Sequence, residues 1–144
     1  MKLSTKGRYG VKAMFELALN YGNEPLSIKA IAEKQSISEY YLEQLFGNLR
    51  KAGLIKSSRG AMGGYVLSRP PAEISAADIL NVLEGPIEIS ECITDEEMNC
   101  LNADYCATRL LWMKISSSVN DVINSVTLQD MVNDFNNIKD KKKE

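Results

Sequence analysis

Every cysteine of the chain falls within fifteen residues, at Cys92, Cys100 and Cys106. Thiolates are soft ligands, and three on one irregular segment can converge on a single centre, which favours an iron–sulfur cluster or zinc. The plainer reading is three unrelated cysteines, some of them buried as small hydrophobes. The chain has no histidine. A cysteine nucleophile usually needs a histidine or a comparable base, so cysteine catalysis is not expected. No phosphate loop or dinucleotide fingerprint appears, and the chain is not expected to be an enzyme.

A second constellation lies upstream. Arg59-Gly60-Ala61-Met62-Gly63-Gly64-Tyr65 separates two short β-prone runs, Leu54–Ser58 and Tyr65–Ser68. The three glycines would supply the positive φ angles that a hairpin tip needs. An arginine on a small tip can enter a DNA minor groove. Just before this hairpin, Ser38, Tyr40, Tyr41, Glu43 and Gln44 crowd the first half of one helix. Gln44 could read adenine through two hydrogen bonds, and Glu43 could accept from cytosine N4 while repelling phosphates. Lys2, Lys6, Arg8, Arg50, Lys51, Lys56 and Arg59 are the candidate phosphate contacts.

The charge distribution supports that reading. The 144 residues carry a net charge of −2, which by itself suits nucleic acid poorly. Residues 1–69 nevertheless hold a balance of +6, residues 70–138 a balance of −10, and the last six residues +2. A basic half joined to an acidic half points to a nucleic-acid face on one side.

These residues need elements to hold them. Residues 7–20 read as a helix with Val11, Met14, Phe15, Ala18 and Leu19 on one stripe, followed by a break at residues 21–25. Ser27 would cap a short helix through Lys34 that buries Ile28, Ile31 and Ala32. Ser38 would cap a third helix to about Ala52, with Leu42, Leu45, Phe46 and Leu49 inward and Gly53 as its stop. Two short helices joined by a tight turn make the helix-turn-helix pattern.

Ser75-Ala76-Ala77-Asp78 resembles a capping box opening a helix from Ala76 to Leu83, and residues 87–107 show no clean period. A long helix is expected from Thr108 to Asn124, with Leu111, Ile115, Val119, Val122 and Val126 near heptad spacing. Thr127-Leu128-Gln129-Asp130 opens a last helix to about Asn137, before a tail expected to be disordered. The start, Met1-Lys2-Leu3-Ser4-Thr5-Lys6, has no apolar core of a secretory signal, and no run is long enough to span a bilayer. A cytoplasmic protein with no membrane partner is expected. An odd number of cysteines without an export signal argues against a disulfide framework.

Three stretches carry a resemblance. Residues 2–10 (KLSTKGRYG), 37–46 (ISEYYLEQLF) and 59–65 (RGAMGGY) are similar to the Rrf-type family of bacterial regulators, including its IscR-like and CymR-like branches. The similarity spans roughly residues 2–135. It implies a mainly α (α+β) fold: a winged helix-turn-helix DNA-binding domain with a two-stranded wing, plus a long dimerisation helix. The implied partner is double-stranded operator DNA. The implied assembly is a homodimer paired through the long helix, with Arg59 in the minor groove and Ser38, Tyr40, Tyr41, Glu43 and Gln44 facing the major groove. Lys2, Lys6, Arg8, Arg50, Lys51, Gly60, Gly63, Gly64 and Tyr65 complete the expected DNA-binding set.

The expected organisation is a winged domain over 1–69, a linking helix over 70–86, a cysteine-containing sensor loop over 87–107, the dimerisation and C-terminal helices over 108–138, and a disordered tail over 139–144. In the IscR-like branch three cysteines of this region hold a [2Fe–2S] cluster, which implies Cys92, Cys100 and Cys106 as ligands here. That branch takes its fourth ligand from a histidine at the position of Arg109, and other relatives use an aspartate where this chain has Arg8. Glu91, Asp95, Glu96, Glu97, Asp104, a backbone group, a small thiol or a partner-subunit residue remain as candidates. The expected function is regulation, chiefly repression, of iron–sulfur cluster or cysteine-metabolism genes. The alternative is a CymR-like repressor controlled by a protein partner of cysteine metabolism, its cysteines acting as a thiol switch or zinc ligands.

Overall fold

The computed structural model describes residues 3–61, 63–87, 89 and 106–143. Six α-helices and one hairpin are present among them: α1 (Thr5–Leu19), α2 (Ile28–Gln35), α3 (Glu39–Lys51), β1 (Ile55–Ser58), β2 (Gly64–Leu67), α4 (Ala76–Leu83), α5 (Ala107–Ser125) and α6 (Leu128–Lys142). A short 3-10 turn, Pro71–Glu73, precedes α4.

Side-chain hydroxyls start most of these helices. Ser4, Ser27, Ser38, Ser75 and Thr127 each accept a backbone N–H of the helix that follows. Each such cap satisfies one donor that the helix itself cannot, worth about 1 kcal/mol. Asp78 and Asp130 return the bond to the capping residue, so α4 and α6 both open on complete capping boxes. The two openings are tied together. Ala76 N–H donates to Val126 C=O at 2.8 Å, and Leu128 N–H donates to Ile74 C=O at 2.9 Å.

One core joins all the elements before α5 to the start of α6. Met14, Leu17, Ile31, Leu42, Phe46, Leu49, Ile55, Ile74, Ile79 and Leu128 are fully buried in it. The inward residues expected for α3, namely Leu42, Leu45, Phe46 and Leu49, are all buried. The face of α1 differs from the expected stripe. Gly7, Gly10, Ala13, Met14, Leu17 and Ala18 are buried, whereas Val11, Phe15 and Leu19 are only half-buried. The glycines set that rotation, because α4 lies directly on them. A Cβ on Gly7 would stand 3.0 Å from Leu80 Cδ2, and one on Gly10 would overlap the Leu83 side chain. Phe15 instead meets Phe135 of α6 edge to face at 5.6 Å. α1 also starts two residues before the expected Gly7, because Ser4 is its cap.

α4 was expected as a linking helix, yet it is part of the core. Ala77, Ile79, Leu80 and Leu83 are buried, and the helix packs against α1, α3 and α5. The tail expectation is corrected as far as Lys142, where α6 ends. Lys139, Lys141 and Lys142 occupy its last turn, where cations complement the helix dipole, and Lys139 stands over the Phe135 ring. α5 is the opposite of α4: none of its nineteen residues is buried.

Candidate nucleic-acid interface

Ser36 adopts φ +55 between α2 and α3, and Ser38 then caps α3 through the Tyr41 N–H. Glu39, in the first turn, complements the helix dipole. The buried side of α3 is apolar, so its other side is presented outward. Tyr40 is 71% exposed, and Glu43 and Gln44 are exposed as well. These three form an exposed polar face on the first half of α3. Tyr41 is half-buried and faces α1 rather than solvent. Its hydroxyl lies 3.1 Å from Thr5 Oγ1, and its ring meets Tyr9 edge to face at 5.8 Å. That contact brings the first two turns of α1, with exposed Lys6 and Arg8, beside the first half of α3.

The wing is an antiparallel hairpin with register Ile55↔Leu67 to Ser58↔Gly64. Leu26, just before α2, adds a third backbone element. Its N–H donates to Tyr65 C=O at 3.1 Å, and Tyr65 N–H donates to Leu26 C=O at 2.7 Å. The glycines of the tip do different jobs from those expected. Only Gly60 among them has a positive φ, at +110. Gly63 is needed for space: a Cβ there would lie 2.6 Å from Ser58 O. A Cβ on Gly64 would overlap the Leu26 backbone. Two of the three glycines therefore allow close backbone approach. The Tyr65 ring packs on Phe46 at 4.9 Å, which makes it a strut between wing and core.

Arg59, Gly60 and Lys56 on the hairpin and Arg50 and Lys51 at the end of α3 are all exposed. Among the described residues the ion pairs are Lys34–Glu16 and Arg69–Asp78, so Arg8, Arg50, Lys51, Lys56 and Arg59 have no carboxylate paired to them, while Lys6 lies near enough to Glu84 to help lower its carboxyl pKa. Lys2, Cys92 and Cys100 lie outside the described residues.

Cys106 is described, as the residue that precedes α5. Its Sγ lies 2.9 Å from Thr108 Oγ1. The Thr108 hydroxyl, helped by the backbone N–H of Arg109, holds the thiol below the ordinary cysteine value. A helix N-terminus favours the thiolate, which is the ligand form. Cys106 is the one cysteine among the described residues, and no group of three or more His, Cys, Asp or Glu among them is placed to hold a metal ion.

Two functional features were not read from the sequence. Thr5 was not singled out, although the Ser4 cap could have moved the helix start to include it. Glu84, just beyond the expected end of the Ala76–Leu83 helix, was not singled out either, yet it accepts the Ser4 and Gly7 backbone N–H groups at 3.0 and 2.9 Å and the Ser4 hydroxyl. No local signal in the sequence could have paired residues so far apart.

Residues 3–134 match the Rrf2 family of iron-dependent transcriptional regulators. The chain belongs to the Rrf2 family. It is 51% identical over 131 residues to the HTH-type transcriptional regulator CymR of Bacillus subtilis (strain 168), covering 91% of this chain and 89% of CymR. It is 39% identical over 133 residues to the HTH-type transcriptional regulator IscR of Pectobacterium carotovorum, covering 92% and 80% of the two chains. Among solved structures, that of CymR, the global cysteine regulator of B. subtilis, superposes with a TM-score of 0.78 at 50% identity, over 91% of this chain and 95% of that one. These relatives are regulators, not enzymes. The mainly helical fold with its two-stranded wing is the fold of this family, and the chain is a DNA-binding transcriptional regulator. No helix among the described residues is long and apolar enough to cross a membrane.

Proposed function

We propose that the chain is a homodimeric repressor of iron–sulfur cluster or cysteine-metabolism genes, with Cys92, Cys100 and Cys106 as the sensor that holds a [2Fe–2S] cluster. The observation that carries this reading is the gathering of all the cysteines into one segment that ends at the N-terminus of α5, where Cys106 has a lowered thiol pKa. A cluster bound there would supply redox and oxygen sensitivity. The chain's own part is to offer thiolates and to join them to the long helix. The fourth ligand is not histidine, because there is none.

The dimer reading rests on α5. Leu111 and Val122 are 49% and 58% exposed, and Leu110 and Met113 beside them are exposed too. An uncovered apolar helix face of this kind needs a partner. On DNA, Tyr40, Glu43 and Gln44 would read the major groove, and Arg59 the minor groove. Ser38, Lys2, Lys6, Arg8, Arg50, Lys51 and the backbone of Gly60, Gly63 and Gly64 would follow the phosphates. Tyr65 would support the wing from behind.

One observation favours a second reading. The chain is 51% identical to the CymR of B. subtilis and 39% to the IscR of Pectobacterium carotovorum, while the solved IscR of T. potens stands at 47% and the solved CymR of Staphylococcus aureus at 44%. In this reading a protein partner of cysteine metabolism controls the repressor, and the cysteines are a thiol switch or zinc ligands. Anaerobic purification with iron, sulfide and visible-absorption analysis separates the two. Coloured protein containing both elements supports the cluster. Colourless protein that cannot be reconstituted, and that still regulates DNA after joint replacement of the three cysteines, supports the partner-controlled reading.

A further inference from the structure

Glu84 closes α4, yet its carboxylate caps a different helix. Three donors of the first turn of α1 converge on Glu84 Oε1: the Ser4 N–H at 3.0 Å, the Gly7 N–H at 2.9 Å and the Ser4 hydroxyl. A carboxylate at that end complements the dipole of α1, and charge-assisted bonds are the stronger kind. The seat is tight. A Cβ on Gly7 would come within 2.6 Å of the same oxygen, so the glycine is what lets the carboxylate reach the helix backbone.

The next residue carries the contact onward. Thr5 Oγ1 lies 3.1 Å from the Tyr41 hydroxyl on α3. Tyr41 stands between exposed Tyr40 and buried Leu42, at the boundary between the outward face of α3 and the core. The edge-on Tyr9 ring fixes the Tyr41 ring, and Lys12 lies over Tyr9 at 5.7 Å. The series Glu84, Ser4, Thr5, Tyr41 therefore joins the end of α4 to the start of α3 through one turn of α1.

We propose that Glu84 and Tyr41 are positioning residues of the DNA-binding surface: Glu84 seats the first turn of α1, and the Thr5–Tyr41 bond passes that seating to α3. Neither residue needs to touch DNA in this role. The inference rests on α3 being the element that reads DNA. Glu84 precedes Cys92 by eight residues in sequence. The joint therefore comes just before the cysteine-bearing stretch in the chain.

The test is a double-mutant cycle on DNA affinity, the appropriate measure of coupling between residues that do not touch. The probe is a duplex selected by the wild-type protein from a random-sequence pool. Glu84→Gln keeps an acceptor oxygen and removes the charge, and Tyr41→Phe keeps the ring and removes only the hydroxyl. Each is expected to weaken binding by roughly three- to tenfold, the size of one lost hydrogen bond. The double variant should bind about as weakly as the worse single one, because both break the same link. Two independent effects would multiply, and that result overturns the proposal. Wild-type affinity in Tyr41→Phe also overturns it, as does an affinity loss accounted for by unfolded protein in a thermal melt. Gln44→Ala is the control for the reading beneath it. If Gln44→Ala binds normally, α3 is not the reading element. If it weakens binding while the Glu84 and Tyr41 effects multiply, only the positioning proposal falls.

Discussion

Replacing Gly64 by alanine tests how the wing is held. The added methyl group would overlap the Leu26 backbone, which cannot swing aside like a flexible side chain. Forcing one carbon into a closed contact costs about 1–3 kcal/mol. Relief requires the strands to part, and that breaks the pair of bonds between Leu26 and Tyr65, at 3.1 and 2.7 Å. Each such bond contributes about 1 kcal/mol net. The combined loss is about 3–5 kcal/mol, which for a chain of this size lowers the melting temperature by roughly 10–15 °C. Gly60→Ala is the comparison. Gly60 has open space around it and a φ of +110, so the cost there is strain alone, about 1–3 kcal/mol. Thermal unfolding followed by circular dichroism should place Gly64→Ala well below Gly60→Ala. If Gly64→Ala melts within about 2 °C of wild type, the wing is not clamped by backbone contact and the argument fails.

Three further outcomes are expected. Arg59→Ala should leave stability within about 0.5 kcal/mol of wild type, because the residue is exposed, while operator binding weakens and its salt dependence falls by about one unit of slope; unchanged affinity would remove the wing tip from DNA binding. If α5 is the dimer interface, as proposed, Leu111→Glu should yield monomer in sedimentation experiments, since it places a charge on an apolar face with no cover of its own; a dimer of undiminished strength would show that α5 is not the interface. Glu84 should make stability pH-dependent. Its carboxyl is held below the usual carboxylate range by the Ser4 hydroxyl first, then by the Gly7 and Ser4 N–H groups and Lys6, against the opposing effect of burial. A depressed folded value means that this stabilisation is present above the unfolded value and is lost as pH falls through the folded one. Denaturant titrations should therefore show wild type more stable than Glu84→Gln near neutrality, with the gap closing in acid; a gap that persists in acid contradicts the assignment.

Much of the fold could be read from the chain because its signals are local. Ser27, Ser38, Ser75 and Thr127 announce their helices by type and position, and the structure uses each as a cap. The α3 core stripe was legible for the same reason: its period lies within a single helix. What escaped was non-local. The rotation of α1 depends on Leu80 and Leu83 lying against Gly7 and Gly10, and no periodicity within residues 7–20 encodes a neighbour more than sixty residues away. The tip glycines were legible as necessary, but the reason at Gly63 and Gly64 is close approach to Ser58 and Leu26. Tyr41 was read as a DNA contact from its neighbourhood in sequence and Tyr65 from the family resemblance, and their packing on Tyr9 and Phe46 could be seen only in three dimensions. The three cysteines were legible by type and clustering alone, and of them Cys106 acquires surroundings in the structure.

The central claim is that one molecule reads DNA with α3 and the wing and senses through Cys92, Cys100 and Cys106. The most direct test is the affinity of anaerobically purified protein for its selected duplex, before and after the iron and sulfide are removed from the same sample. The account predicts a change in affinity of at least about fivefold, equivalent to about 1 kcal/mol of coupling between the sites, and no such change in the triple cysteine-to-alanine variant. Equal affinity in the loaded and stripped samples would contradict it.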